Sequence, residues 1–229
     1  MALDFKTMST EKKVTFCGAA LIAALSLIAF IICLCVPATE DAMQEAFMKA
    51  AKNFSLSSLK IPNILSGINW VLALGFISSL ALAAIYYFKN LKISLIPESV
   101  PMKFVVPGVV VLTALFAWIY LSVGTNLKTL FTGWMVDEGT FWGILLIIFT
   151  LAFIGVFALA ALEKKADLKA ALPEILLVLA GLFLLLATIG ALAVNEDSEN
   201  IVFVKVSLVF NTIFMLAFGA VTCLNEAKE

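Results

Sequence analysis

The chain has 229 residues, 63% of them hydrophobic, and a mean hydropathy of +1.10. Soluble domains are about 45–50% apolar, so this composition belongs to a membrane protein. The formal charge is −1 and all fifteen basic residues are lysine. That leaves no net field to draw nucleic acid. Without histidine or arginine there is also no imidazole base, no histidine metal ligand and no bidentate guanidinium clamp.

Residues 1–13 are polar and carry Lys6, Lys12 and Lys13. The first apolar span runs from Val14 to Val36, long enough to cross a bilayer. Val36-Pro37-Ala38 resembles a signal cleavage site, but the apolar run exceeds the roughly 7–15 residues of a signal peptide, and the span is expected to be retained.

Residues 37–66 form the longest polar segment. Met43, Ala46, Phe47, Ala50 and Ala51 share one face at helical spacing, and Glu45 stands four residues before Lys49. This pattern predicts a short helix lying at the interface over residues 40–52. Asn53-Phe54-Ser55 is a glycosylation sequon, meaningful only in a eukaryotic secretory setting.

The second span, Asn69 to Phe88, has Trp70 at one boundary and Tyr86-Tyr87 at the other, where such aromatics prefer the headgroup level. Gly75 and Ser79 are spaced for close helix approach. The third span runs from Phe104 to Val123, with Pro107-Gly108 in its first turns and Trp118 and Tyr120 towards its far end. Residues 124–141 return to the interfacial theme, with Leu127, Leu130, Phe131 and Trp134 on one helical face.

The fourth span, Trp142 to Leu162, is apolar on every side apart from Thr150. The fifth runs from Ile175 to Val194 and carries Thr188 and Gly190. Residues 195–200 form an acidic turn. The sixth span, Ile201 to Cys223, contains Lys205, Ser207, Asn211 and Thr212 and is the most polar. Val204, Ser207, Leu208, Asn211 and Met215 form one stripe, from which Lys205 diverges. An asparagine amide in hydrocarbon would lose its hydrogen bonds, so Asn211 is expected to point inward, to a backbone carbonyl, to a hydroxyl such as that of Thr113 or Thr150, or to water. Lys205 is expected to reach towards Glu196, Asp197 or the headgroups. Lys205, Ser207 and Asn211 are the candidate polar positions within the membrane.

A short phrase recurs between spans: Leu91-Lys92-Ile93-Ser94-Leu95-Ile96-Pro97-Glu98 and Leu168-Lys169-Ala170-Ala171-Leu172-Pro173-Glu174. In each case the preceding span opens with Gly-x-x-Trp, at Gly67–Trp70 and Gly139–Trp142. The shared order predicts a tandem two-helix repeat, residues 67–123 and 139–194, with Pro97 matching Pro173. Proline suits the first turn of a helix, which places both phrases at inter-helix junctions. With the termini on one side, ten lysines lie there against four opposite, which predicts cytoplasmic termini in a plasma or inner membrane. Cys17 and Cys223 fall near one face and Cys33 and Cys35 near the other. The last pair, two residues apart on a helix, points in different directions, and free thiols are expected throughout.

The chain therefore reads as a single polytopic domain, residues 1–229. The fold class is an all-α membrane protein, a six-transmembrane-helix bundle with a tandem repeat and short interfacial helices on the outer side. No paired carboxylates, Cys-x-x-Cys pair, phosphate loop or nucleophile elbow is present, and no cofactor or metal is expected. The first functional reading is a non-enzymatic assembly, regulatory or stress-related membrane subunit. Its partners would be the lipid bilayer together with a membrane protein or a second copy of the chain, and not nucleic acid. The alternative is a small channel or carrier using the polar stripe of the sixth span, and a membrane enzyme ranks last.

Overall fold

The structure, a computed structural model, describes residues 8–35, 67–121, 139–192 and 199–227. The predicted interfacial helices over 40–52 and 127–135, the acidic turn around Glu196 and Asp197, and the sequon lie outside the described residues.

Six helices make up the described chain: α1 Thr10–Cys35, α2 Gly67–Lys89, α3 Met102–Leu121, α4 Gly139–Glu163, α5 Leu168–Leu192 and α6 Glu199–Glu226. At 1.5 Å per residue, even α3 with its 20 residues spans about 30 Å. All six are long and apolar enough to cross a membrane, and there is no strand among the described residues. The protein is an all-α integral membrane protein with a six-helix bundle.

Each helix packs on its neighbour in sequence, and α6 packs back on α1, so the bundle is a closed ring. Leu27 and Ile31 of α1, Ile77 and Leu80 of α2, and Ile144, Ile148 and Leu151 of α4 are exposed on its outer surface. In lipid this apolar surface is solvated by hydrocarbon, so association of the helices rests on packing and internal hydrogen bonds. Ring closure depends on a glycine. A Cβ at Gly219 of α6 would lie 2.7 Å from both the Ala19 carbonyl oxygen and the Ala23 nitrogen of α1. Backbone meets backbone there because Gly219, Ala19 and Ala23 present almost no side chain.

Two apolar clusters fill the ring, one above the other. The cluster near the chain termini includes Ile22, Leu82, Tyr86, Val106, Phe157 and Phe218. The opposite cluster includes Cys33, Val71, Tyr120, Leu146, Ala187 and Leu208. Lys89, at the end of α2, and Glu226, at the end of α6, pair at 3.5 Å on the termini side.

Three sequence expectations need correction. First, α5 starts at Leu168, not Ile175. Asp167 caps it, its Oδ1 accepting from the backbone N–H groups of Lys169 at 3.0 Å and Ala170 at 3.2 Å. The run Leu168 to Leu172 is made of strong helix formers, so Pro173 is carried inside the helix and not at its start. The matching phrase 91–98 stays out of helix. Asn90 ends α2 with a φ of 44°, and turns tie Ile96 N–H to Ile93 O at 3.0 Å and Val100 N–H to Pro97 O at 2.9 Å. β-Branched residues and two prolines hold this linker open until Met102. The two phrases thus take different conformations, although both Gly-x-x-Trp segments open their helices. Second, Tyr86 and Tyr120 are buried in the ring and do not belong to a headgroup belt. Tyr87 is only half-buried, with the Lys103 ammonium over its ring, 4.4 Å from the ring centre. Third, Gly75 permits no close helix approach, since a Cβ there would meet nothing within 4 Å.

The described thiols are all free, as expected: Cys17 and Cys35 are exposed, Cys33 is buried and Cys223 is half-buried. Cys223 Sγ–H donates to the Phe16 carbonyl at 3.6 Å, which brings the Cys17 and Cys223 regions of α1 and α6 together.

Candidate functional site: a cavity at mid-bundle

Between the two apolar clusters lies a cavity of about 90 Å³, walled by all six helices. Its walls are mostly apolar. The polar groups on it come from Ser26 of α1, Ser78 and Ser79 of α2, Thr113 of α3, and Asn211 and Thr212 of α6. Ser78, Thr113 and Asn211 sit near the middle of their helices, which puts the cavity near the membrane midplane. No charged residue lines it among the described residues.

Helix periodicity explains why these groups face inward. Val71, Gly75, Ser78 and Leu82 share one arc of α2, on which Val71, Ser78 and Leu82 are buried. Gly75 sits at the centre of that arc, lines the cavity and is exposed. On α6, Leu208, Asn211 and Met215 share an inward arc with Ser207, Phe218 and Thr222.

The hydroxyl hydrogens around the cavity are largely committed to backbone carbonyls. Ser79 donates to Phe76 O at 2.6 Å and Thr212 to Val209 O at 2.7 Å. Thr113 Oγ1 lies 2.7 Å from Val109 O in its own helix and 3.1 Å from Phe149 O in α4. Asn211 Nδ2 donates across to Ala180 O of α5 at 2.8 Å. Such bonds to backbone carbonyls satisfy the donors of Ser79, Thr113, Thr212 and Asn211. The cavity is therefore an uncharged, mostly apolar space with a few polar groups on its wall. It can hold a small neutral molecule, and it disfavours ions, whose desolvation no charged lining residue offsets.

Of the three candidate positions read from sequence, only Asn211 reaches the cavity, through the inward orientation and backbone carbonyl partner that its polarity predicts. Ser207 is buried but lies outside the cavity wall. Lys205 is half-buried, and its carbonyl accepts from Cys33 Sγ–H at 3.8 Å. The acidic partners expected for its ammonium lie outside the described residues. Replacing Asn211 with leucine removes the α5–α6 bond and is expected to cost about 0.6–2 kcal/mol, read as a lower melting temperature in detergent. No change in melting would mean that the bond to Ala180 contributes nothing.

Two features of the site carry little signal in the sequence. The hydroxyls of Ser26, Ser78, Thr113 and Thr212 are individually unremarkable, and their only signal is recurrence at mid-span. The other is Glu174. With α5 starting earlier than expected, this carboxylate falls inside the span and is 3% exposed. Its Oε1 accepts from Lys164 Nζ at 2.6 Å and from the Tyr86 hydroxyl at 3.4 Å. Its Oε2 is buried without a hydrogen-bond partner among the described residues.

In comparisons with known proteins, no family model matches the chain, and no curated protein and no solved structure matches it.

Proposed function

We propose that this protein is a carrier or gated channel for small neutral solutes, set in a plasma or inner membrane with both termini in the cytoplasm. The observation that carries the reading is the uncharged cavity at mid-span to which all six helices contribute. Composition alone ranks an assembly or regulatory subunit first. The cavity reverses that order, because protein interiors pack densely and unfilled space between the helices costs stability that a purely docking subunit has no reason to forgo. A volume of about 90 Å³ exceeds the roughly 10–15 Å³ needed for one water and falls below the roughly 150 Å³ cavity that holds benzene. Solutes of a few heavy atoms, such as urea or glycerol, match it. The apolar clusters above and below fit a resting state closed on both sides. The lysine bias supports the orientation. The two Gly-x-x-Trp helix starts support the proposed repeat of 67–123 and 139–194, while the unlike junctions limit it to the helices.

Vesicles reconstituted with the protein should shrink and reswell under a urea or glycerol gradient faster than empty vesicles, read by light scattering. Gly75→Leu tests the route. Its side chain projects into open cavity space, and leucine is worth up to about 1 kcal/mol more than glycine in a helix. The variant should therefore melt no lower than the parent while losing at least about tenfold in flux, the equivalent of roughly 1.4 kcal/mol on the barrier. Equal flux in parent and empty vesicles would sink the proposal, as would an unaltered flux in Gly75→Leu.

A further inference from the structure

The floor of the cavity on the termini side is closed by contacts that cross the ring. Phe153 of α4 lines the cavity, and Phe157 meets it edge-on at a centroid distance of 4.7 Å. Phe157 in turn meets Tyr86 of α2 edge-on at 4.9 Å. Tyr86 donates to Glu174 Oε1 of α5 at 3.4 Å, and Lys164 Nζ, from the α4–α5 turn, approaches the same oxygen at 2.6 Å. In the ring order, α2 and α5 stand opposite each other. The Tyr86–Glu174 bond therefore spans the ring, whereas Asn211–Ala180 and Thr113–Phe149 join neighbours.

The chemistry of this floor is out of keeping with a permanent seal. A stack of apolar residues would close it without burying a carboxylate. Instead Glu174 is buried with one oxygen unpartnered, while the lysine side chain that neutralises it is 39% exposed. The ammonium is thus in touch with water on the termini side, 2.6 Å from the buried carboxylate.

We propose that Lys164, Glu174 and Tyr86 form a proton-operated latch on the termini-side end of the cavity. A proton from that side adds to the Glu174 carboxylate and gives a neutral carboxyl. The ion pair with Lys164 is lost, the ammonium returns to water, and the ring-spanning tie weakens to a bond between two neutral groups. Of the other charged groups near this end, Lys92, Glu98, Lys165 and Lys169 are exposed, and five more are held in contacts of their own. Glu163, at the end of α4, accepts from the Ser94 N–H, and Asp167 caps α5. Glu226 of α6 pairs with Lys89, and Lys103 of α3 lies over Tyr87. The latch rests on the reading of the cavity as a solute path and adds to it a gate and a coupling ion.

The test uses full-length protein in vesicles of defined sidedness. Cys17, Cys33, Cys35 and Cys223 are replaced with alanine, and Gly75→Cys is introduced as the cavity probe. A membrane-impermeant methanethiosulfonate is applied from each face in turn, and folding of every variant is checked by melting. At neutral pH, Glu174→Gln should accelerate labelling from the termini side by about tenfold or more, the size of a lost charged hydrogen bond. Tyr86→Phe, which removes only the hydroxyl, should give a smaller acceleration of the same sign. On acidification the latched parent should approach the Glu174→Gln rate measured at the same pH, so that the ratio of the two falls towards one. Labelling from the opposite face should not respond to either variant. Unchanged termini-side rates in both variants, with labelling from the opposite face intact, overturn the latch and leave the cavity reading standing. Absence of labelling from either face in every variant overturns both.

Discussion

Replacing Gly219 with valine is expected to open the helical ring. α1 and α6 are far apart in sequence, and they meet tightly at Gly219, where an added Cβ would lie 2.7 Å from backbone atoms of Ala19 and Ala23 and 2.9 Å from the Ala23 Cβ. Overpacking costs about 1–3 kcal/mol when side chains can shift aside. Here the obstructing atoms are helix backbone, so relief requires the two helices to separate, and the cost is expected at or above the top of that range. For a chain of this size about 1 kcal/mol shifts the melting temperature by roughly 2–4 °C, which puts the expected drop near 10 °C. Gly155→Ala is the matched control: it is also a mid-helix glycine, but a Cβ there meets nothing within 4 Å, and alanine gains up to about 1 kcal/mol in helix propensity. Insertion should survive in both, since apolar length is unchanged. If Gly219→Val melts with the parent, α1 and α6 do not close the ring through this contact.

How much of this was legible in the sequence depends on the range over which each feature is written. Membrane spans are local, because twenty apolar residues announce themselves, and each of the six spans falls on one of the six helices. Helix ends are less so. Pro173 reads as a first-turn residue, yet Asp167 supplies an earlier cap and the leucine-alanine run after it propagates, which moved Glu174 from a junction into a buried site. Nothing near Pro97 supplies such a cap, and the left-handed Asn90 stops α2 just before the similar phrase. Asn211 was legible because an amide in hydrocarbon has only inward solutions, and Ala180 O provides one. Ring order, and with it the opposition of Tyr86 and Glu174, was not legible, since it is set by which faces of distant helices fit. The role of Gly75 inverted for the same reason. Its spacing from Ser79 resembles a close-contact motif, but the helix across from it stands off and leaves a cavity.

Lys164→Met is expected to destabilise the bundle more than any other removal of one surface-reaching charge. The side chain of Glu174 is 5% exposed, and Lys164 Nζ is its nearest compensation at 2.6 Å. Removing one partner of a buried pair costs about 3–5 kcal/mol, because the other charge stays behind in low dielectric. Lys164 is 39% exposed, so solvent already screens the pair, and about 2–3 kcal/mol is the appropriate expectation. Tyr86 cannot substitute for the ammonium, since its hydroxyl stands 3.4 Å away and carries no charge. The cost should shrink in acid, where the stranded carboxylate takes up a proton and becomes neutral. It should also shrink when Glu174→Gln accompanies Lys164→Met, because the double variant contains no buried charge. A thermodynamic cycle over the parent, the two single variants and the double variant, melted in detergent at neutral pH, measures the coupling directly. A coupling near zero would mean that the lysine spends its time in water, and that the carboxylate is held in the ring by something other than its ion pair.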